Sequence, residues 1–262
     1  MGIAWDIDTP EGWHAALAAL AWQVDLGLTE VVGDVAGSAY DLPERLATAA
    51  APPAPTPFAA VAADPVGVAR SLAALAPDLP SLHAAIAGYE HCELKKGARS
   101  TVFADGNPRA RVLILGEAPG RDEDKQGLPF VGAAGQMLDA MFAAIGLSRS
   151  SPAPEQAIYI TNVMPWRPPQ NRDPEPGEIA MMLPFVERHV ALVDPEVIVL
   201  MGNISCVAAL GQKGITRLRG GWTTAFGRPA LPMFHPAYLL RNPVAKREAW
   251  ADLLALQAWL RG

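Results

Sequence analysis

The chain has 262 residues, 50% of them hydrophobic, and a formal net charge of −6 at pH 7. That length suits one large domain, or one domain with a smaller appendage, and provides enough apolar side chains for a sizeable core. No apolar stretch reaches the ~18 residues that a membrane span requires, the N-terminus lacks a secretory pattern, and two cysteines cannot form a disulfide framework. We therefore expect a cytoplasmic protein that makes no membrane contact.

The net charge conceals an asymmetry between two parts of the chain. Residues 1–91 carry two basic and eleven acidic side chains, a net of −9, whereas residues 92–262 carry nineteen basic and sixteen acidic ones, a net of +3. The larger part is mildly basic, which permits a polyanionic partner without requiring one. Because such an asymmetry is also an ordinary surface property, charge alone does not identify DNA as the partner.

Residues 1–90 are predicted to form a helical accessory segment that offers no catalytic chemistry. Its composition changes at an Ala- and Pro-rich stretch, about residues 49–66, which predicts an extended linker. Helix-start signals and apolar side chains at helical spacing predict helices on either side of this linker. These helices are expected near residues 10–26, 64–76 and 79–90.

Residues 91–262 form the second predicted domain, in which strands alternate with helices. This alternation predicts the α/β class, a three-layer α/β/α sandwich with a central, mostly parallel four-stranded sheet. Short β-rich runs predict strands at 111–116, 157–162, 197–201 and 230–234. Helices are predicted near 132–146, 176–192, 204–211 and 243–260.

The predicted strands end at residues that suit a single site. In such sheets ligands bind beyond the carboxyl ends of the strands. Glu117, Asn162, Gly202 and His235 each lie at or just past such an end. Glu117 stands in a Gly-rich turn after the first strand, and His235 stands in what we expect to be a loop after the last. The combination of these four residues indicates a functional site more strongly than any one of them does.

Two further side chains have both a structural and a functional interpretation. Phe130, between Pro129 and Val131, is either a core residue or a stacking platform for a nucleobase. Asn162 is either an ordinary turn former or a reader of the polar edge of uracil, whose O4 and N3–H match a carboxamide.

The loops around these residues carry candidate DNA contacts. Arg167 and Arg172 lie in a Pro-rich loop that is either a phosphate contact or a rigid surface turn. Leu239 and Leu240, followed by Arg241, are either a wedge for a base stack or the start of the C-terminal core.

Five segments resemble the family-4-type enzymes of the bacterial and archaeal uracil-DNA glycosylase superfamily. The likeness covers some 170 residues, from about Cys92 to the end. The segments are Gly116–Gly120, Gly127–Gly132, Asn162–Val163, Arg167–Arg172 and His235–Arg241. The resemblance implies a sheet sandwiched by helices and the excision of uracil from DNA.

The resemblance also implies roles for individual residues. Phe130 would stack on the flipped uracil, Asn162 would read its edge, and His235 would contact O2. Gly116 and Ala118 would complete the uracil pocket, and Glu117 would help to position water. We thus expect Glu117, Asn162 and His235 to be catalytic. Uracil-containing DNA is the expected partner of a monomer located at the bacterial nucleoid. The residues expected to contact this DNA are Arg121, Arg167, Arg172, Leu239, Leu240 and Arg241.

The sequence departs from the family at its iron–sulfur cluster, which takes four cysteines. Cys92 is the one cysteine left of a C-x-x-C pair, and Trp166 and Met182 stand at the two later cysteine positions. Cys206 matches none of the four. Because two thiolates cannot hold a four-iron cubane, we expect no cluster, no metal site and no other cofactor.

A second departure concerns Ala118 and Gly120. Ala118 replaces an aspartate of the best-known superfamily members, and Gly120 replaces an aromatic that excludes thymine. One alternative is therefore a non-catalytic or covalent uracil-DNA-binding protein. The turn at 120–127 has no histidine and no extension, which disfavours covalent capture. A nucleotide-binding protein built on the same glycines is a third possibility.

Overall fold

The computed structural model describes residues 9–25 and 64–262, and the chain divides into two compact units, residues 1–59 and 60–262. In the first unit, helix α1 spans Pro10–Asp25. At its start the Thr9 hydroxyl accepts a hydrogen bond from the Gly12 amide, which is the local reason for a helix here. The predicted linker, as far as residue 63, lies outside the described residues.

The second unit is built around a six-stranded sheet. Its strands are β1 (Ala104–Gly106), β2 (Val112–Gly116), β3 (Ile158–Asn162), β4 (Val197–Met201), β5 (Thr223–Ala225) and β6 (Arg228–Met233). The strand order is β1-β3-β2-β4-β6-β5. The four central strands are parallel, whereas β1 and β5 pair antiparallel at the two edges.

The central strands form because apolar residues dominate their sequences. Strands β2, β3 and β4 are buried along their whole length, as expected for a parallel sheet covered on both faces. Alternate side chains of β2 enter two different cores. Leu113 and Leu115 belong to one core, and Val112 and Ile114 belong to the other.

Helices cover both faces of this sheet. They are α2 (Pro65–Leu75), α3 (Leu79–Ala87), α4 (Leu94–Gly97), α5 (Arg121–Gln126), α6 (Ala133–Ala143), α7 (Pro176–Val193), α8 (Asn203–Leu210), α9 (Ile215–Leu218), α10 (Pro236–Arg241) and α11 (Lys246–Arg261). Buried residues of α2, α3, α7 and α8 join the core of Leu113, and those of α6, α10 and α11 join the core of Ile114. The predicted α/β/α sandwich is confirmed. Among the described residues no helix has the length and apolar character needed to span a bilayer.

Three details differ from the sequence predictions. The sheet has six strands rather than four, because β1 and β5 are three-residue edge strands with too few apolar positions to show a pattern. The segment after His235 is helix α10 rather than a loop. Helices α2 and α3, which we assigned to the accessory segment, contact α7 and lie in the same compact unit as the sheet.

Candidate active site

The carboxyl ends of the parallel strands border a cavity of about 470 Å³. Because these strands run in one direction, the residues that follow them meet at one edge of the sheet. The structure thus brings the glutamate turn, the amide and the imidazole to one cavity. Of the predicted site residues, those that line it are Glu117, Ala118, Phe130, Asn162, Arg172, Gly202, His235 and Arg241.

At Gly116 the end of β2 contacts the side chains of both Asn162 and Phe130. This glycine ends β2 and pairs with Asn162 across the β2–β3 register. A Cβ at Gly116 would overlap Asn162 Oδ1 and would lie 2.5 Å from Phe130 Cε2. Glycine therefore allows both side chains to pack against the end of β2.

Phe130 presents its ring beside the histidine from an unusual backbone conformation. Its side chain is buried, and its φ of 53° lies in the left-handed region. The loop that follows is held by Glu123, whose Oε1 accepts hydrogen bonds of 2.9 Å from the amides of both Val131 and Gly132. The ring centroid lies 5.4 Å from that of His235, with an interplanar angle of 30°. Phe130 thus supplies a fixed aromatic surface at the cavity.

His235 caps the N-terminus of α10 and is held in one tautomer. Its Nδ1 accepts a hydrogen bond of 3.2 Å from the Ala237 amide, so the proton of the neutral ring is on Nε2. Burial, with a smaller contribution from the positive charge of Arg241, lowers the pKa of His235 to about 4. The imidazole is therefore neutral at physiological pH and offers its Nε2–H as a donor.

Glu117 is the acidic group of the cavity. Burial, with a smaller contribution from the negative charge of Asp173, which also lines the cavity, raises the pKa of its carboxyl to about 7. A carboxyl with a pKa near the operating pH suits proton transfer, because it both accepts and releases a proton readily. The arrangement can therefore activate a water molecule.

Asn162 carries the clearest signal for a ligand. It is 7% exposed, and among the described residues its Oδ1 is the one buried side-chain nitrogen or oxygen without a hydrogen-bond partner. Buried polar atoms are nearly always paired, so this acceptor indicates a ligand that donates to it. A carboxamide also offers a donor, which selects a planar group with a neighbouring donor and acceptor.

The two leucines predicted to contact DNA are not equivalent. Leu239 is 1% exposed and packs in the core of Ile114, so the structure contradicts its assignment as a wedge. It is buried because it stands on the inner face of α10. Leu240 is 43% exposed on the next position of the helix. Leu240 alone of this pair is available to a partner.

The four arginines predicted to contact DNA also differ. Arg121 and Arg241 are exposed. Arg172 donates to both carboxylate oxygens of Glu178, at 2.9 and 2.6 Å, and Arg167 Nε donates to Asn171 Oδ1 at 2.8 Å. The guanidinium groups of Arg167 and Arg172 thus stabilise their own loop.

Glu123, Asn171 and Asp173 are among the cavity residues that the sequence analysis did not single out. Glu123 lies in the charged run 121–125, whose composition is typical of a solvated loop, but residues 121–126 form helix α5 and the Glu123 carboxylate accepts hydrogen bonds from the following loop. The available signal was the pair of glycines that flank the run, since Gly127 ends α5 in a left-handed conformation. Asn171 has a φ of 54°, and no pattern in the sequence predicts a left-handed turn at this residue.

The structure offers poor ligands for a metal or cluster. Within residues 9–25 and 64–262, no three His, Cys, Asp or Glu side chains are grouped to hold a metal ion. Cys92 and Cys206 are fully buried, unlinked thiols, and burial raises the pKa of both. Cys92 shares its apolar core with Trp166 and Met182. Protonated thiols in such surroundings do not favour metal binding.

Comparison with known proteins shows the family to which this chain is similar. Residues 103–254 match the family model described as the uracil DNA glycosylase superfamily. The chain is 38% identical over 162 residues to the type-4 uracil-DNA glycosylase of Sulfurisphaera tokodaii, covering 58% of this chain and 71% of that protein. It is 37% identical over 170 residues to the type-4 enzyme of Archaeoglobus fulgidus, covering 62% and 82%. The type-4 enzyme of Thermotoga maritima is 37% identical over 156 residues, 58% of this chain and 77% of its own.

Proposed function

The chain belongs to the uracil DNA glycosylase superfamily, and we propose that it is a DNA repair glycosylase that flips deoxyuridine out of DNA and hydrolyses its N-glycosidic bond. The products are free uracil and an abasic site. The observation that carries this proposal is the unpartnered Oδ1 of Asn162, in a cavity that Phe130 and His235 also line. Gly116 and Ala118 complete the proposed uracil pocket.

Uracil recognition divides among three side chains in this proposal. The Phe130 ring stacks on the flipped base, and such stacking contributes about 1–3 kcal/mol per base. Asn162 Oδ1 accepts the N3–H of uracil, and its amide N–H donates to O4. The neutral His235 donates its Nε2–H to O2. Cytosine presents a ring acceptor at N3 and a donor at N4, so it would leave both Asn162 groups unpaired.

Bond cleavage follows from the same contacts. The glycosidic bond breaks early, leaving an oxocarbenium-like sugar and a uracil anion. The His235 donor stabilises the negative charge on O2, and one fixed donor in a dry site supplies ~3 kcal/mol. Glu117 accepts a proton from water as the water oxygen attacks the sugar carbon. The uracil anion takes a proton from solvent on release, and Glu117 returns its proton to solvent. Asn162 contributes by holding the anion in place.

DNA contacts surround this pocket. Leu240 fills the gap left by the flipped nucleotide, in keeping with its exposure on α10. Arg121 and Arg241 contact phosphates. Arg167 and Arg172 act by holding the Pro-rich loop in shape rather than by offering unengaged charges, which is consistent with their bonds to Asn171 and Glu178.

The residues of this chain do not fit the iron–sulfur cluster that the family resemblance implies, and we propose a cluster-free variant. A cubane takes four thiolates, whereas this sequence has two cysteines. The apolar core around Cys92 supports the proposal, because Trp166 and Met182 are each 1% exposed there. Trp166 Nε1 also donates to Thr101 Oγ1 at 3.1 Å. Apolar packing would replace the cluster as the structural element.

We further propose that residues 1–90 are accessory to the reaction, with helices α2 and α3 serving only as packing partners of α7, and that residues 91–262 supply every residue that contacts DNA. The proposed partner is uracil-containing DNA. We propose that the enzyme acts as a monomer, and that it meets this DNA in the cytoplasm, at the bacterial nucleoid.

A denaturing gel after incubation with a labelled oligonucleotide that contains one deoxyuridine tests the proposal. Strand cleavage after alkali is the expected result. A shifted, heat-stable band would instead identify covalent capture. DNA that is neither cleaved nor shifted would indicate a protein that binds uracil-containing DNA without reacting with it. Competition by free nucleotides without any binding of DNA would identify a nucleotide-binding protein. Iron analysis and the visible spectrum of the same preparation test the cluster-free proposal.

A further inference from the structure

Arg149 lies outside the cavity but holds the backbone that carries Phe130. Its side chain is 15% exposed. Nη1 donates to the Pro129 carbonyl and Nη2 donates to the Phe130 carbonyl, each at 2.9 Å. One guanidinium group therefore bridges two consecutive carbonyls of the loop that presents the ring.

The guanidinium group is itself fixed from two further directions. Nε donates to Asp139 Oδ1 at 2.9 Å, and Nη1 donates to Asp105 Oδ2 at 3.0 Å. Asp139 belongs to α6 and Asp105 belongs to the edge strand β1. Because both partners are carboxylates on regular elements, Arg149 is held in place by the sheet and by a helix.

The loop needs such support because its conformation is unfavourable. Phe130 has a φ of 53°, and the left-handed region is strained for a residue other than glycine. Its carbonyl also lies against α6 so closely that a Cβ at Gly135 would overlap it. Glu123 holds the amides of the next two residues. The loop is thus clamped on its carbonyl side by Arg149 and on its amide side by Glu123.

We propose that Arg149 is a positioning residue for uracil recognition, acting through the carbonyls of Pro129 and Phe130 to hold the Phe130 ring in stacking position. This role rests on the proposed function. Arginine is specifically required, because the four acceptors surround a planar group. Lysine supplies its donors from one nitrogen and cannot bridge both carbonyls and both carboxylates.

A double-mutant cycle between Arg149→Lys and Phe130→Leu tests the proposal, with uracil excision measured under single-turnover conditions. A misplacement of about 1 Å costs about 100-fold in rate, so we expect Arg149→Lys to slow excision by 10- to 100-fold. In the Phe130→Leu background the same change should cost less than about 2-fold, because coupled residues are non-additive. An equal loss in both backgrounds, or a wild-type rate for Arg149→Lys, would overturn the proposal.

Arg111→Lys is the matched control. Arg111 also donates to a main-chain carbonyl, that of Leu260 at 3.1 Å, and pairs with Glu196 at 2.8 Å. It lies outside the loop of Phe130, so its variant should keep the wild-type rate. If Arg149→Lys does not fold, Asp139→Asn, which removes one carboxylate partner of the guanidinium group, replaces it in the double-mutant cycle. The expected loss of rate is then smaller.

A second measurement is independent of glycosylase activity. With 4-fluorophenylalanine at position 130, Arg149→Lys should shift or broaden the fluorine resonance, and Arg111→Lys should leave it unchanged. An unchanged resonance in Arg149→Lys would overturn the positioning role. A wild-type protein that does not excise uracil would overturn the proposed function, while the fluorine measurement would still decide whether Arg149 positions Phe130.

Discussion

Gly116 and Asn162 face each other across β2 and β3 so closely that a side chain at Gly116 would overlap the Asn162 carboxamide oxygen. We therefore expect Gly116→Ala to displace Asn162, Phe130 or both, and to reduce excision by about 100-fold. Single-turnover rates measure this loss. Gly177→Ala is the control, because a Cβ there would meet no described atom within 4 Å. A Gly116→Ala enzyme with the control's rate would contradict the proposed packing.

The raised pKa of Glu117 predicts how activity depends on pH. The carboxylate form accepts the proton, and its pKa is raised to about 7. The excision rate should rise with pH by up to tenfold per unit below 7 and level off above it. Glu117→Gln should be slow and should lose this slope between pH 5.5 and 8.5. A glutamine variant that keeps the wild-type slope would show that another group activates the water.

The same shift predicts a pH dependence of stability. The folded protein holds the Glu117 proton up to a pKa of about 7, whereas an unfolded glutamate releases it near 4.3. The unfolded state binds fewer protons in this interval, so the contribution of Glu117 to stability falls as the pH rises from about 4.3 to 7. In thermal melts, the Tm of Glu117→Gln relative to that of the wild type should rise between pH 5 and pH 8. A constant difference would contradict this expectation.

The neutral, singly protonated imidazole of His235 predicts a selective loss of rate. His235→Ala removes the proposed donor to O2 of uracil, and loss of one such donor costs about 100- to 1,000-fold in kcat. DNA affinity should change little, because the contact strengthens as charge develops on O2. Exposed His91 provides the control, and His91→Ala should behave as the wild type. Affinity loss in His235→Ala without loss of kcat would argue for a binding role.

The opposite environments of Leu239 and Leu240 predict opposite defects. Leu240→Ala should slow excision from duplex DNA more than from single-stranded DNA and leave stability unchanged, because Leu240 is exposed. Leu239→Ala should destabilise the fold by about 2–5 kcal/mol, as core truncations do. Chemical denaturation and excision assays on both substrates measure these effects. The reverse assignment of defects would show that Leu239 leaves the core on binding DNA.

The parts of the fold that were predictable are those with a regular pattern. The apolar runs of β2, β3 and β4 are visible because both faces of a parallel sheet are buried. Edge strands β1 and β5 were not predictable, since each has three residues and neither forms an apolar run. Leu239 and Leu240 show the same limit within one helix. Two adjacent leucines look alike in sequence, and only the rotation of α10 separates a core residue from an exposed one.

The candidate site was predictable where chemistry follows a strand end, as at Asn162. The supporting contacts were not. Arg149 reaches Phe130 across 19 residues of chain, and Glu123 is hidden in a run of charges that resembles a solvated surface. Such contacts depend on three-dimensional placement and on a left-handed backbone at Phe130, which a phenylalanine in the sequence does not signal.

Excision of uracil by the wild type and by Asn162→Ala tests the central claim most directly. Both proteins are incubated with a single-stranded oligonucleotide that contains one deoxyuridine, and the alkali-cleaved fraction is followed over time. We predict rapid cleavage at the uracil position by the wild type and a rate at least about 100-fold lower for Asn162→Ala. Equal rates for the two proteins, or intact DNA with the wild type, would contradict the account.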